Sequence, residues 1–220
     1  MAGMQDFVAW QDDFLGARTF VATADSGSLW FWKKTGSPTA IAAGTPAGSG
    51  EIVFAIPATN EAENSSLTWN DKLGLDVTKL RSFEVNLKFG AALPTGVLAA
   101  IGLGTAAADD PTAITNFVGF RVVGDGASNK LICRTANATL TTNVASTKTV
   151  STSYVKLKVD LSDRKNVKFY AGGERILTNQ VFDWSATSGS VQPHLQIGKA
   201  ASPATASCTP SRSSRSPASI

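Results

Sequence analysis

Hydrophobic and polar residues alternate along much of the chain. SFEVNLKF at 82–89 sets Phe83, Val85, Leu87 and Phe89 on one side and Glu84, Asn86 and Lys88 on the other. That period of two is the signature of a strand with one buried face. YVKLKVDLS at 154–162 repeats it, with Val155, Leu157, Val159 and Leu161 inward and Lys156, Lys158 and Asp160 outward. An Asp-Arg-Lys-Asn turn then leads into VKFYAGGERI at 167–176, where Val167, Phe169 and Ala171 alternate with Lys168 and Tyr170 ahead of Gly172-Gly173. This reads as a hairpin, and its strands are expected to be consecutive neighbours.

Further strands are expected at 28–34 (SLWFWKK), 51–57 (EIVFAIP), 65–70 (SSLTWN), 96–104 (GVLAAIGLG), 116–124 (NFVGFRVVG), 130–136 (KLICRTA) and 194–200 (HLQIGKA). Turn signals separate them, such as Gly124-Asp125-Gly126 and the stretch around Pro94. Helical spacing is weak throughout, and DVTKLRS at 76–82 is the best candidate for a single short helical turn. Many short strands at such intervals predict an all-β sandwich or barrel of antiparallel sheets.

Composition adds the limits. A chain of 220 residues, 43% hydrophobic, suffices for one filled core, so one domain over 21–200 is expected, with an arm at 1–20 and a tail at 201–220. The arm carries three acids and no continuous apolar run, which predicts neither a secretion signal nor a membrane span and a protein that is soluble and not classically secreted. TGSPTAIAAGTPAGSG at 35–50 reads as a surface loop, and the Ser/Pro-rich 201–220, with Arg212 and Arg215 and no acid, as a segment unable to pack alone. A net charge of +3 from 20 basic and 17 acidic residues makes no case for nucleic acid. The two cysteines, Cys133 and Cys208, do not resemble a disulfide framework, and Cys133 reads as a small buried hydrophobe.

The order of elements resembles a known superfamily. LTWNDKLGLDVTKLRSFEVNLKF, then FVGFRVVGDGASNKLICRT, then YVKLKVDLSDRKNVKFYAGGERI is similar to concanavalin A-like (laminin G-like) jelly rolls over roughly residues 60–200. In the hairpin Val167, Phe169, Tyr170, Gly173 and Ile176 fit the pattern, whereas Ala171 and Gly172 replace its apolar-then-Asp pair. The resemblance implies an antiparallel two-sheet jelly-roll sandwich with terminal extensions. The acidic-aromatic WQDDFLG at 10–16 further resembles the opening of tailed-bacteriophage structural proteins of this fold.

Glycoside cleavage in this superfamily needs paired carboxylates flanking one bond, about 5 Å apart in a retaining mechanism, as Glu-x-Asp-x-x-Glu; here Glu84 stands alone, with Asn86 two residues on. His194, the single histidine, has no Gly-x-Ser-x-Gly elbow near it and reads as a strand-start residue, so no catalytic residue is assigned. Asp109-Asp110-Pro111 and Asp125 fall short of a Ca²⁺ ligand set, and neither metal nor cofactor is expected. For sugar binding, Trp30 and Trp32 share a strand face with Lys34; core packing is the first reading of these rings and an exposed platform the second. Trp69 and Trp184 lie on similar apolar alternations.

A structural role needs fewer special residues. A rigid sandwich with arms suits docking on a symmetric lattice, with Phe7, Trp10, Phe14, Arg212 and Arg215 as contacts. The expectation is a non-enzymatic capsid decoration protein on the virion surface, made in the host cytoplasm. It would bind the major capsid protein and copies of itself, as a trimer by analogy, without nucleic acid or membrane. The alternative is a carbohydrate-binding adhesin of a tail fibre.

Overall fold

A computed structural model describes residues 20, 29–43, 50–70, 74–105, 108–137, 139–202 and 204–211. They form two antiparallel sheets packed face to face, with no helix among the described residues. The first sheet has eight strands: β1 (Phe31–Thr35), β4 (Glu63–Thr68), β14 (Ser190–Lys199), β7 (Val97–Gly104), β8 (Val118–Gly124), β9 (Asn129–Ala136) and β10 (Thr141–Thr149) in that order, and β5 (Leu75–Asp76) paired to β14. The second has seven: β13 (Glu174–Ile176), β12 (Lys168–Ala171), β11 (Val155–Asp160), β6 (Ser82–Phe89), β15 (Ala206–Ser211), β3 (Ile52–Ile56) and β2 (Thr39–Ala43).

The alternation explains why the sheets meet where they do. Register aligns Trp32, Leu67, Leu195, Ile101, Phe120 and Cys133 in one row across six strands of the first sheet, and all are buried. Val85, Leu87, Phe89, Leu157, Val159, Phe169 and Phe54 answer from the second sheet. Phe120 meets Phe169 edge to face at 5.3 Å across the layers, and Phe169 meets Phe182 at 4.8 Å. Burying each such ring contributes about 2 kcal/mol, which sets the inward face of every strand.

The expected hairpin is present. β11, β12 and β13 are consecutive neighbours, and Ala171 pairs with Glu174 across a two-residue turn. Gly172 and Gly173 have φ of 61° and 87°, the left-handed pair that this tight turn requires and that most side chains resist. Cys133 and Cys208 are both buried free thiols.

Four expectations are corrected. Residues 77–79 form a turn in which Asp76 accepts hydrogen bonds from Thr78, not a helical turn, because Val77 is pulled into the core beside β14. Residues 39–43 of the supposed loop form β2 on the rim of the second sheet, while 44–49 lie outside the described residues. The tail boundary moves: β15 runs between β6 and β3, with Cys208 and Thr209 buried, so residues to 211 belong to the sandwich. At the other end Phe20 is 5% exposed and part of the core. The remaining arm and tail, with Phe7, Trp10, Phe14, Arg212 and Arg215, lie outside the described residues.

Candidate functional site

The outward face of the first sheet is unusually polar for a buried surface. On β14, Val191, Leu195 and Ile197 point into the core, so Gln192, His194 and Gln196 take the opposite face. Register sets His194 level with Gly102 on β7, Gly119 on β8 and Arg134 on β9. Gln196 stands level with Ser66 on β4, Ala100 on β7 and Arg121 on β8. Asn64 and Thr68 continue the face along β4, and every polar member except Arg121 is buried.

The cover is the chain itself. Residues 108–117, between β7 and β8, fold back over the middle of this face. Phe117 rests on Gly102 and Gly119, where a Cβ would stand 2.9 Å from its ring and 2.6–2.7 Å from the facing glycine's Cα. Only glycine leaves room for the ring there. Ala100, Ile114, Phe117 and Ala136 thereby form a second small apolar cluster. Polar groups bind the covering segment by its backbone. Gln196 Nε2 donates to Ala108 O and to Asn64 Oδ1, both at 2.7 Å. Arg134 donates to Ile114 O at 3.2 Å and Pro111 O at 3.5 Å, with its guanidinium 5.6 Å from the Phe117 ring centre. His194 Nε2 lies 2.6 Å from Thr105 O, Gln192 Nε2 donates to the same oxygen at 3.1 Å, and Lys33 pairs with Asp109 at 3.1 Å.

Among the described residues the rest of the face is less covered. Leu98, Val123, Ile132 and Arg121 are half-buried beside the covered part. Burial pulls the Arg121 and Arg134 guanidiniums below the ordinary arginine value; the Arg121 charge adds to this for Arg134, and Asp110 opposes it for both. The buried Nε atoms of Arg121 and Arg134, Asn64 Nδ2 and Gln196 Oε1 have no hydrogen-bond partner among the described residues.

Of the two readings of WFW, core packing is the one the structure shows, and the carbohydrate platform of Trp30, Trp32 and Lys34 is corrected. Trp30 and Trp32 are 3% and 5% exposed, so these rings belong to the core. Trp30 packs edge-on against Trp69 at 6.2 Å, and Trp32 donates its indole N–H to Ser65 Oγ at 3.0 Å. Their strand face is the one level with Leu67, which points between the sheets. Lys34 is exposed at the rim, its ammonium 5.8 Å from the Trp32 ring.

Glu84 lies on the outer face of the other sheet, 2.7 Å from Lys156 and 3.3 Å from Lys158 on β11. Burial pushes its pKa up, but the two ammonium groups outweigh this and hold it below the usual carboxylate range. A carboxylate so held is a poor proton donor. Asp110 accepts hydrogen bonds from the Thr112 N–H and hydroxyl, and Asp125 from the Ala127 and Ser128 N–H groups. Among the described residues no group of three His, Cys, Asp or Glu side chains could hold a metal ion, and no helix is long and apolar enough to cross a membrane.

Arg121, Arg134, Gln192 and Gln196 were missed by the sequence reading, and His194 was read only as a strand start. The signal was present in VQPHLQIGK at 191–199, where alternate positions Gln192, His194 and Gln196 are polar within an otherwise apolar strand.

Taken together, two antiparallel sheets in this order define a concanavalin A-like jelly-roll sandwich. No protein-family model matches the sequence, and no curated protein sequence does. Among solved structures the chain is similar to the laminarinase from Rhodothermus marinus (TM-score 0.59, 14% identity, covering 94% of this chain and 98% of that one). It is also similar to the carbohydrate recognition domains of Emp46p in its potassium-bound form (0.54, 13%, 92% and 97%) and of Emp47p (0.53, 14%, 93% and 95%). At such identities the likeness establishes the fold, which lectin domains and glucanases share.

Proposed function

We propose that this chain is a non-enzymatic binding module whose ligand is a carbohydrate. One observation carries the reading: beside the covered part of the first sheet's outer face lies a half-buried patch in which the Arg121 guanidinium adjoins Leu98, Val123 and Ile132, a charged donor next to an apolar floor on which a sugar ring can rest. The single carboxylate weighed for catalysis, Glu84, lies on the opposite sheet and is neutralised by two lysines. The fold shared with carbohydrate recognition domains supports the ligand class. Presented with a panel of oligosaccharides including β-1,3-glucan, the protein is expected to bind at least one without releasing reducing ends. Hydrolysis lost in Glu84→Gln would overturn the non-enzymatic part, and absence of binding across the panel would overturn the ligand class.

A second reading, a capsid decoration protein of a tailed phage, is favoured by a different surface. β10 is a nine-residue rim strand, TTNVASTKT, which carries no proline and whose outer backbone edge pairs with no other strand among the described residues. Such an edge suits strand addition against a neighbouring subunit. Sedimentation with purified virions at a stoichiometry matching the coat lattice is the expected result under this reading. Its presence in lysates but never on particles would exclude it.

A further inference from the structure

Arg121 and Arg134 are two guanidiniums on neighbouring strands of one sheet face. Arg134 is only 5% exposed and Arg121 is half-buried, and both Nε atoms are buried without a hydrogen-bond partner among the described residues. Arg134 spends its terminal N–H groups on the Pro111 and Ile114 carbonyls, which are neutral. One carboxylate, Asp110, acts on both guanidiniums, while it accepts hydrogen bonds from the Thr112 N–H and hydroxyl, so two cations face one anion. A buried charge is ordinarily paired, so this corner of the sheet is short of one anion. Beside Arg121 the floor is apolar: Ile132 pairs with it across β9, Val123 follows two residues along β8, and Leu98 faces Val123 from β7.

We propose that this less covered part of the face binds the acidic edge of a saccharide, a uronate carboxylate or a sulfate ester. Arg121 makes the direct ion pair, Arg134 supplies the second charge from behind it, and Leu98, Val123 and Ile132 carry the C–H face of the sugar ring. The idea rests on the carbohydrate reading above and names its substrate class. A planar guanidinium matches carboxylate and sulfate oxygens two at a time, which a lysine does not.

The test is calorimetric titration with three oligosaccharides of equal length, one uronate, one sulfated and one neutral, with inorganic sulfate as a fourth arm. Binding of one acidic oligosaccharide at least about tenfold tighter than the neutral one is expected, weakening by about tenfold in Arg121→Gln and only partly recovered in Arg121→Lys. The uronate and sulfate arms tell which acid is read. Arg121 is half-buried at the edge of the covered part, so its variants are expected to melt close to the parent, and a thermal scan checks this. Equal binding of neutral and acidic sugars, untouched by Arg121→Gln, overturns the acidic preference and leaves the carbohydrate reading standing. Binding of inorganic sulfate as tight as that of the sulfated sugar overturns the saccharide assignment. No binding to any sugar overturns both.

Discussion

Replacing Lys199 by methionine tests how the two halves of the sandwich are tied together. Lys199 ends β14, and its side chain and that of Glu63 are 0% exposed. The three N–H groups of the ammonium are shared among Pro57 O at 2.7 Å, Thr59 O at 2.6 Å, Ser202 O at 2.9 Å and Ala204 O at 3.1 Å, with Glu63 Oε2 at 3.9 Å. The Thr59 hydroxyl bonds the other oxygen of Glu63. The ammonium therefore joins the connection before β4 to the connection that feeds β15 into the second sheet. Methionine keeps the volume but removes the donor, leaving a buried carboxylate and four carbonyls without it. Breaking a buried pair from one side costs about 3–5 kcal/mol. For a chain of this size that lowers the melting temperature by roughly 6–20 °C.

Removing the other partner should cost less. In Glu63→Gln the ammonium keeps all four carbonyl acceptors, and the amide can still receive the Thr59 hydroxyl. The double variant Lys199→Met/Glu63→Gln no longer buries a lone charge, so it should recover part of the loss of Lys199→Met. Urea unfolding at neutral pH, followed by tryptophan fluorescence, reads all three. A loss below about 1 kcal/mol for Lys199→Met, within the range of an exposed pair, would refute the reasoning. So would a double variant no more stable than the single one, since Glu63 would then not be the charge left behind.

Other outcomes follow from separate parts of the fold. The N–H groups of Ala127 and Ser128 and the ammonium of Lys130 hold the Asp125 carboxyl below its ordinary value. Its stabilising effect is therefore full above the unfolded value of about 4 and fades as pH falls; the stability gap between parent and Asp125→Asn should narrow from pH 4 to pH 2, and a constant gap would contradict this. Burial pushes the Cys208 thiol up to about 12 and that of Cys133 higher still, so neither should react with a thiol reagent at pH 8 until denaturant is added; rapid native labelling would contradict their placement. Ending the chain after Thr205 removes β15 and bares the edges of β6 and β3. That protein should be insoluble while one ending after Ser211 folds, and equal solubility of the two would contradict the central position of β15.

What was legible in the sequence followed from burial on one face. SFEVNLKF became β6 with the bounds expected, and the VKFYAGGERI hairpin formed at its Gly-Gly turn, because each had a clean alternation and a turn of known geometry. β15 was unreadable for the opposite reason. ASCTPS has little alternation, and Pro210 argues against an interior strand because it cannot donate to a ladder. The sandwich accommodates it where pairing to β3 is interrupted, between Cys208 and the bridge of Ser211 to Glu51. Pro193 misled in the same way, since HLQIGKA was expected to begin after it. β14 in fact extends back to Ser190, because Pro193 pairs with Leu103 on one side and lies beyond the pairing of β4 on the other.

The candidate site was less legible because its chemistry is assembled across strands. Arg121 and Arg134 stand on consecutive strands, yet their closeness depends on the Gly119–Arg134 register, and no local pattern encodes that register. WFW, by contrast, drew attention because aromatic residues are conspicuous in a linear text, and the same residues are the ones a core takes first. Trp30 and Trp32 are consequently silent about function, and the polar interruptions of an apolar strand are informative. A hydrogen-bonding side chain is costly to bury, so Gln192, His194, Gln196 and Arg134 persist on β14 and β9 only where something satisfies them. Thr105 does that for Gln192 and His194, and the segment 108–117 for Gln196 and Arg134. Arg121, half-buried at the margin of that cover, is where a partner from outside has the most to add.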